Sequence, residues 1–74
     1  MRIEKSFKGI DHNDVYEKNI IGDFYYIYKV ESIMIFDDSI EILLHECYGN
    51  GNTTGVKCLI EYKEFIKNYK KIIR

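Results

Sequence analysis

His45, Cys47 and Cys58 are the side chains with which this chain of 74 residues could do chemistry. His45 and Cys47 are two apart on a stretch that reads as a strand, so they share a face. Neighbours at i and i+2 on a strand point in parallel and not at each other, which is poor geometry for a nucleophile and its base. No third, orienting group is evident, and no enzyme is expected. The same residues with Cys58 make at most three zinc ligands, whereas a structural site needs about four, so no metal or other cofactor is expected. Gly49-Asn50-Gly51-Asn52-Thr53-Thr54-Gly55 does not match the phosphate-cradling G-x-x-x-x-G-K-[ST]: Gly51 to Gly55 is one residue short, and Val56 precedes Lys57. It reads as a mobile hairpin tip.

The elements that would position these residues centre on Asp23–Cys47. Tyr, Phe, Ile and Val fill two long strands on either side of the polar turn Asp37-Asp38-Ser39. In the first strand Phe24, Tyr26, Tyr28, Val30, Met34 and Phe36 make a nearly continuous apolar face, and Glu31-Ser32 is a reasonable place for a bulge. In the second, Ile40, Ile42 and Leu44 share one face, and Glu41, Leu43, His45 and Cys47 share the other. A three-residue turn sets Phe36 against Ile40, Met34 against Ile42 and Tyr28 against Tyr48; a two-residue turn sets Ile35 against Ile40 and Ile33 against Ile42. The first of these keeps one long apolar face and is the expected register. A third strand over 56–62 turns Val56, Cys58 and Ile60 inward and pairs Leu44 with Ile60 or Tyr62. That register sends the two cysteines to opposite faces, so two free thiols are expected, Cys58 in the core and Cys47 partly exposed.

From Tyr62 the period changes. Apolar residues at 62, 65, 66, 69, 72 and 73 mark one face of a helix over 62–73, which caps the sheet with Phe65, Ile66 and Tyr69. At the other end of the chain, Asp14 with Glu17 three residues later predicts a short helical turn through Val15–Lys18. The expected organisation is one domain: an N-terminal extension (1–21), a β-sheet core (22–61) and the helix (62–73). The class is α+β, a small bent antiparallel sheet or SH3-like barrel with one C-terminal amphipathic helix.

Charge is unevenly placed. Residues 1–48 carry five Lys/Arg and ten Asp/Glu, a net of −5, and residues 49–74 carry six and two, a net of +4. The near-neutral total of −1 argues against a dedicated nucleic-acid binder. Lys63, Lys67, Lys70, Lys71 and Arg74 nevertheless give the expected helix a basic outer face, which supports nucleic-acid binding as the alternative function. No apolar run approaches the ~20 residues of a membrane-spanning helix, and Met1–Lys8 has no apolar core for a signal peptide. A cytoplasmic location and no membrane partner are therefore expected.

Seven tyrosines exceed what so small a core hides, because each hydroxyl needs a partner or water. Tyr25, Lys29, Glu31 and His45 point away from the main core, and with Asn50 and Asn52 of the glycine-rich loop they form the expected protein-binding surface. Exposed strand edges also leave room for a homodimer.

Gly22-Asp23-Phe24, Tyr28-Lys29-Val30, the Asp37-Asp38 hairpin, Gly55-Val56 and the run Lys63-Glu64-Phe65-Ile66-Lys67-Asn68-Tyr69-Lys70-Lys71-Ile72 follow one layout. In that layout the chain resembles small SH3-like barrel proteins of phages and mobile elements in low-GC bacteria. The absence of Ala and Pro and the abundance of Ile, Lys, Tyr and Asn fit such a genome. The resemblance implies a small viral protein that binds a host protein, such as an inhibitor of CRISPR-Cas or another defence complex. It supplies no site residues.

Overall fold

The structure, a computed structural model, describes residues 1–72. It is mostly antiparallel sheet with one short helix. The strands are β1 (Arg2–Glu4), β2 (Ser6–Phe7), β3 (Ile10–Asp11), β4 (Val15–Ile21), β5 (Phe24–Ile35), β6 (Ile40–Cys47), β7 (Thr53–Glu61) and, after helix α1 (Tyr62–Asn68), β8 (Lys70–Lys71). The main sheet runs β7-β6-β5-β4-β8, and β1 joins it along β5; β2 and β3 form a separate hairpin. β7 and β8 end the sheet without pairing to each other, so among the described residues no closed barrel forms.

β5 is the organising strand. On one side it pairs with β6 from Ile27 to Ile35; on the other it pairs with β4 through Phe24–Lys29 and with β1 through Ile33–Ile35. The bulge expected at Glu31-Ser32 is present, between Val30 and Ser32. One unpaired residue reverses the phase of a strand whose side chains alternate faces. Tyr28 and Val30 are therefore inward before the bulge and Ile33 after it, all three buried. The single even-numbered apolar face expected from the sequence is corrected accordingly: Phe24 and Tyr26 are exposed, and Met34 and Phe36 are only partly buried.

The turn after β5 is also corrected. Ile35 faces Ile40 and Ile33 faces Ile42, the register of the two-residue turn, with the Phe36 N–H donating to Ser39 O at 2.8 Å around Asp37-Asp38. Tyr28 accordingly faces Glu46 and not Tyr48. The shorter turn wins because, with the bulge, it places Ile33 and Ile42 side by side, both wholly buried. Each such side chain contributes about 1.5–3 kcal/mol. The alternation expected for the second strand holds, with Ile42 and Leu44 buried.

The N-terminal segment is not an appendage. Ile10 and Tyr16 are core residues, and Val15–Lys18, expected as a helical turn, is part of β4. Asp14 does not cap a helix; its Oδ2 accepts the Asp11 N–H at 2.9 Å and closes a turn before the strand.

The helix ends early as well. Its last residue is Asn68, and Tyr69 is already extended (φ −113°, ψ 139°). Lys70 and Lys71 then pair with Glu17 and Tyr16, and the Ile72 N–H donates to Val15 O at 2.8 Å. Leaving the helix covers the start of the β4 edge and tucks Tyr69 between Phe65 and Tyr28, ring centroids 5.1 and 5.6 Å away. Tyr16 also packs against Phe65, ring centroids 4.5 Å apart. Ile66, expected to help cap the sheet, is instead 56% exposed. Ile73 and Arg74 lie outside the described residues.

Candidate protein-binding surface

The sheet has an inner face under α1 and an outer face, and the pairing registers show what each carries. Lys29 sits centrally on the outer face, with Val15 opposite it on β4 and His45 opposite it on β6. Lys57 lies beyond His45 on β7. A small cavity of about 180 Å³ is lined by Lys29, Glu31 and His45 together with His12, Asn13 and Thr53. A second, about 280 Å³, adjoins it across Lys29 and is lined by Val15, Ile27, Cys47, Asn50, Gly51 and Asn52. Four of the expected residues (Glu31, His45, Asn50 and Asn52) thus gather around a fifth, Lys29. Both volumes fall below the ~300–1,000 Å³ of a typical small-molecule site.

The bulge aims Glu31 across the sheet. Its carboxylate meets Lys57 Nζ at 3.0 Å, and its carbonyl lies 2.8 Å from His12 Nδ1. The Lys57 hydrogen bond holds the Glu31 carboxyl below its usual pKa of 4.5. A depressed carboxyl pKa adds stability above the unfolded value, and that increment is lost as pH falls below about 4.5. Glu31→Gln is expected to cost less than about 1 kcal/mol at pH 7, because the pair is solvent-screened. Urea unfolding at pH 7 and at pH 3 checks this: the variant's deficit at neutral pH should shrink in acid.

The loop between β6 and β7 is tied across its base. The Tyr48 N–H donates to Asn52 O at 2.8 Å and the Gly51 N–H to Tyr48 O at 2.9 Å, while Asn50 Oδ1 accepts the Asn52 N–H at 2.9 Å. It is shorter than the expected 49–55, since Thr53–Gly55 already belong to β7. Irregular pairing between His45 and Cys47 accompanies it, and Cys47 lies opposite Thr53 and Leu44 opposite Cys58. The thiols are free but exchange their expected places: Cys47 is buried and Cys58 only partly so. Val56, expected inward, is exposed. Burial raises the Cys58 pKa above the ordinary 9.0. The Cys47 Sγ donates to the His45 carbonyl at 3.4 Å, so the thiol engages the backbone of His45 and not its imidazole. Among the described residues no group of three or more His, Cys, Asp or Glu side chains is placed to hold a metal ion.

Tyr25 stands on the same outer face, four residues and about 13 Å along β5 from Lys29. It belongs to a feature that sequence reading did not resolve. β4 and β5 run past the end of β6 to a two-residue turn, with Ile21 paired to Phe24 around Gly22-Asp23. Gly22 has φ +55° and Asp23 is not left-handed, the pattern of a type II′ turn that suits glycine at its first central position. Asn19 Nδ2 braces the turn by donating to Gly22 O at 2.8 Å. At this tip Ile21 is 70% exposed, Phe24 75%, Tyr25 50% and Tyr26 52%, and Ile20 is exposed as well. The signal was present as five large apolar residues within Ile20–Tyr26 interrupted only by Gly-Asp. Alternation assigned Phe24 and Tyr26 to the core, but α1 is too short to cover them.

No family model, curated protein or solved structure matches this chain.

The basic face expected on a 62–73 helix is broken up. Lys63 and Lys67 are on α1, whereas Lys70 and Lys71 are on β8, and Lys71 Nζ is engaged by Asp14 at 3.0 Å. The Asp14 hydrogen bond raises the Lys71 pKa. Arg74 lies outside the described residues. The helical array of cations on which the nucleic-acid alternative rested is therefore absent among the described residues. Among those residues, too, no helix is long and apolar enough to cross a membrane.

Proposed function

We propose that this protein is a non-enzymatic protein-binding module that engages its partner with the β4–β5 tip and the adjoining outer face. The carrying observation is the exposure of Ile20, Ile21, Phe24, Tyr25 and Tyr26 together on one projecting turn. Contiguous exposed apolar surface is costly in water and marks interaction sites. Aromatic anchors flanked by a few polar groups are the usual composition of an interface core. Lys29, Glu31, His45, Asn50 and Asn52 supply those polar groups farther along the same face.

The layout resemblance extends the reading to a phage or mobile-element protein acting in the bacterial cytoplasm as an inhibitor of a host defence complex such as CRISPR-Cas. In that reading the sheet is an SH3-like barrel left open, β5 bending at its bulge so that β4 and β1 use different halves of one edge.

The test is capture from a low-GC bacterial lysate on the tagged protein, with and without nuclease, read by mass spectrometry. One protein retained at near-stoichiometric level despite nuclease, and lost with Lys29→Glu, supports the reading. Retention that disappears with nuclease, or that ignores Lys29→Glu and every change at the tip, overturns it.

A further inference from the structure

Other edges of the main sheet are partly covered: β8 pairs with Tyr16 and Glu17 at the start of β4, and β1 with Ile33–Ile35 in the far half of β5. β7 is the last strand on its side, and no described strand pairs with its outer edge. Natural sheets protect such an edge with bulges or with charges that repel a second strand. Here the irregularity is confined to the start of β7, where the Val56 N–H turns to Thr54 Oγ1 and Gly55 has φ +92°. The segment Lys57–Glu61 runs in unbroken register with β6.

The geometry points to Lys57–Glu61 as a dimerisation edge that pairs antiparallel with the same segment of a second copy, the two-fold axis passing through Leu59. This register centres the straight segment on itself. It sets Lys57 opposite Glu61 of the second copy, and Glu61 opposite its Lys57. Side chains directly opposite in such a ladder are about 4.5–5.5 Å apart at Cβ. The charges along this edge therefore complement each other under a two-fold axis.

Two further observations favour a second copy as the occupant. Within one chain Glu61 lies directly opposite Glu41, a like-charge pair, and among the described residues neither has a cation partner. Lys57 of a second copy would supply one. Lys57 is half exposed in its pair with Glu31, so it can bridge both carboxylates. Leu59 is 45% exposed on the same face and meets its own counterpart on the axis, where both leave water. This inference does not rest on binding through the tip, because the segment pairs with Glu41–His45, in the half of the sheet away from the β4–β5 tip, although Lys57 also pairs with Glu31 of the outer face.

Sedimentation equilibrium of the purified full chain across a concentration series tests it. The expected result is a species of about twice 8.9 kDa. Glu61→Lys, which puts two like-charge pairs across the axis while relieving the repulsion from Glu41 within each chain, should weaken association by about tenfold or more. Combining it with Lys57→Glu should restore association. Under oxidising conditions Leu59→Cys should cross-link to itself, the two Cα atoms lying within disulfide reach on the axis. A monomer at the highest concentration, or a dimer indifferent to Glu61→Lys and without the cross-link, overturns the assignment.

Discussion

Phe65→Ala is expected to cost about 3–5 kcal/mol, the usual penalty for emptying a buried phenylalanine site. At roughly 0.05–0.15 kcal/mol per residue, that is a large part of the stability a chain of 74 residues can have. Phe65 is 1% exposed and is the only buried residue of α1. Its ring joins Tyr16 of β4 to Tyr69 of the tail, and Tyr69 in turn meets Tyr28 of β5. Removing it opens a cavity where the helix, the sheet and the tail meet, and none of the three can close it without breaking its own hydrogen bonds. Ile66→Ala, one residue on and exposed, should stay within about 0.5 kcal/mol of the parent. Urea titrations followed by circular dichroism separate the two: equal losses would mean that α1 is not seated through Phe65.

The second large effect is alkaline. Burial pushes the Tyr69 hydroxyl from the ordinary 10.0 up to about 12, and it raises Tyr28 and Tyr16 as well. A pKa raised by folding means that the folded state favours the neutral phenol. Its contribution is intact below pH 10 and is lost as pH rises from about 10 to about 12. For Tyr69 alone the loss is on the order of 2 kcal/mol. The urea midpoint should therefore be level between pH 7 and 9 and fall steeply above 10, and Tyr69→Phe should flatten part of that fall. An unchanged alkaline slope in Tyr69→Phe would show that its hydroxyl is not buried as described.

Local pattern was a good guide wherever a single element decided the outcome. The alternation of Ile40, Ile42 and Leu44, the position of the bulge at Glu31-Ser32 and the start of the helix at Tyr62 are all legible in the chain. What escaped are consequences that one element imposes on another. The bulge location was readable, but its reversal of phase beyond Ser32, which swaps Ile33 and Ile35 for Met34 and Phe36, requires the turn length to be known at the same time. The spacing of Tyr69 and Ile72 continues a helix equally well, and hydrogen bonds offered by the open edge of β4, unknowable from the tail, decide against it. Asp14 and Glu17 have the spacing of a helix cap, yet the Asp11 N–H claims Asp14 first.

The candidate surface divides in the same way. Lys29 and His45 were readable as outward residues because strand alternation alone places them, whereas Glu31 is aimed by the bulge. Their meeting with Asn50 and Asn52 around Lys29 depends on how the β6–β7 loop turns over the sheet. The tip was the least legible part, because apolar strand residues count as core until one knows how far the covering helix extends.

The measurement that bears most directly on protein binding through the tip is capture by Phe24→Asp, made alongside its thermal midpoint. Phe24 is 75% exposed, so the substitution should leave the midpoint within a few degrees of the parent. The same change should reduce capture of the partner at least tenfold, as expected for removal of an aromatic anchor. Undiminished capture by a folded Phe24→Asp protein would contradict the account.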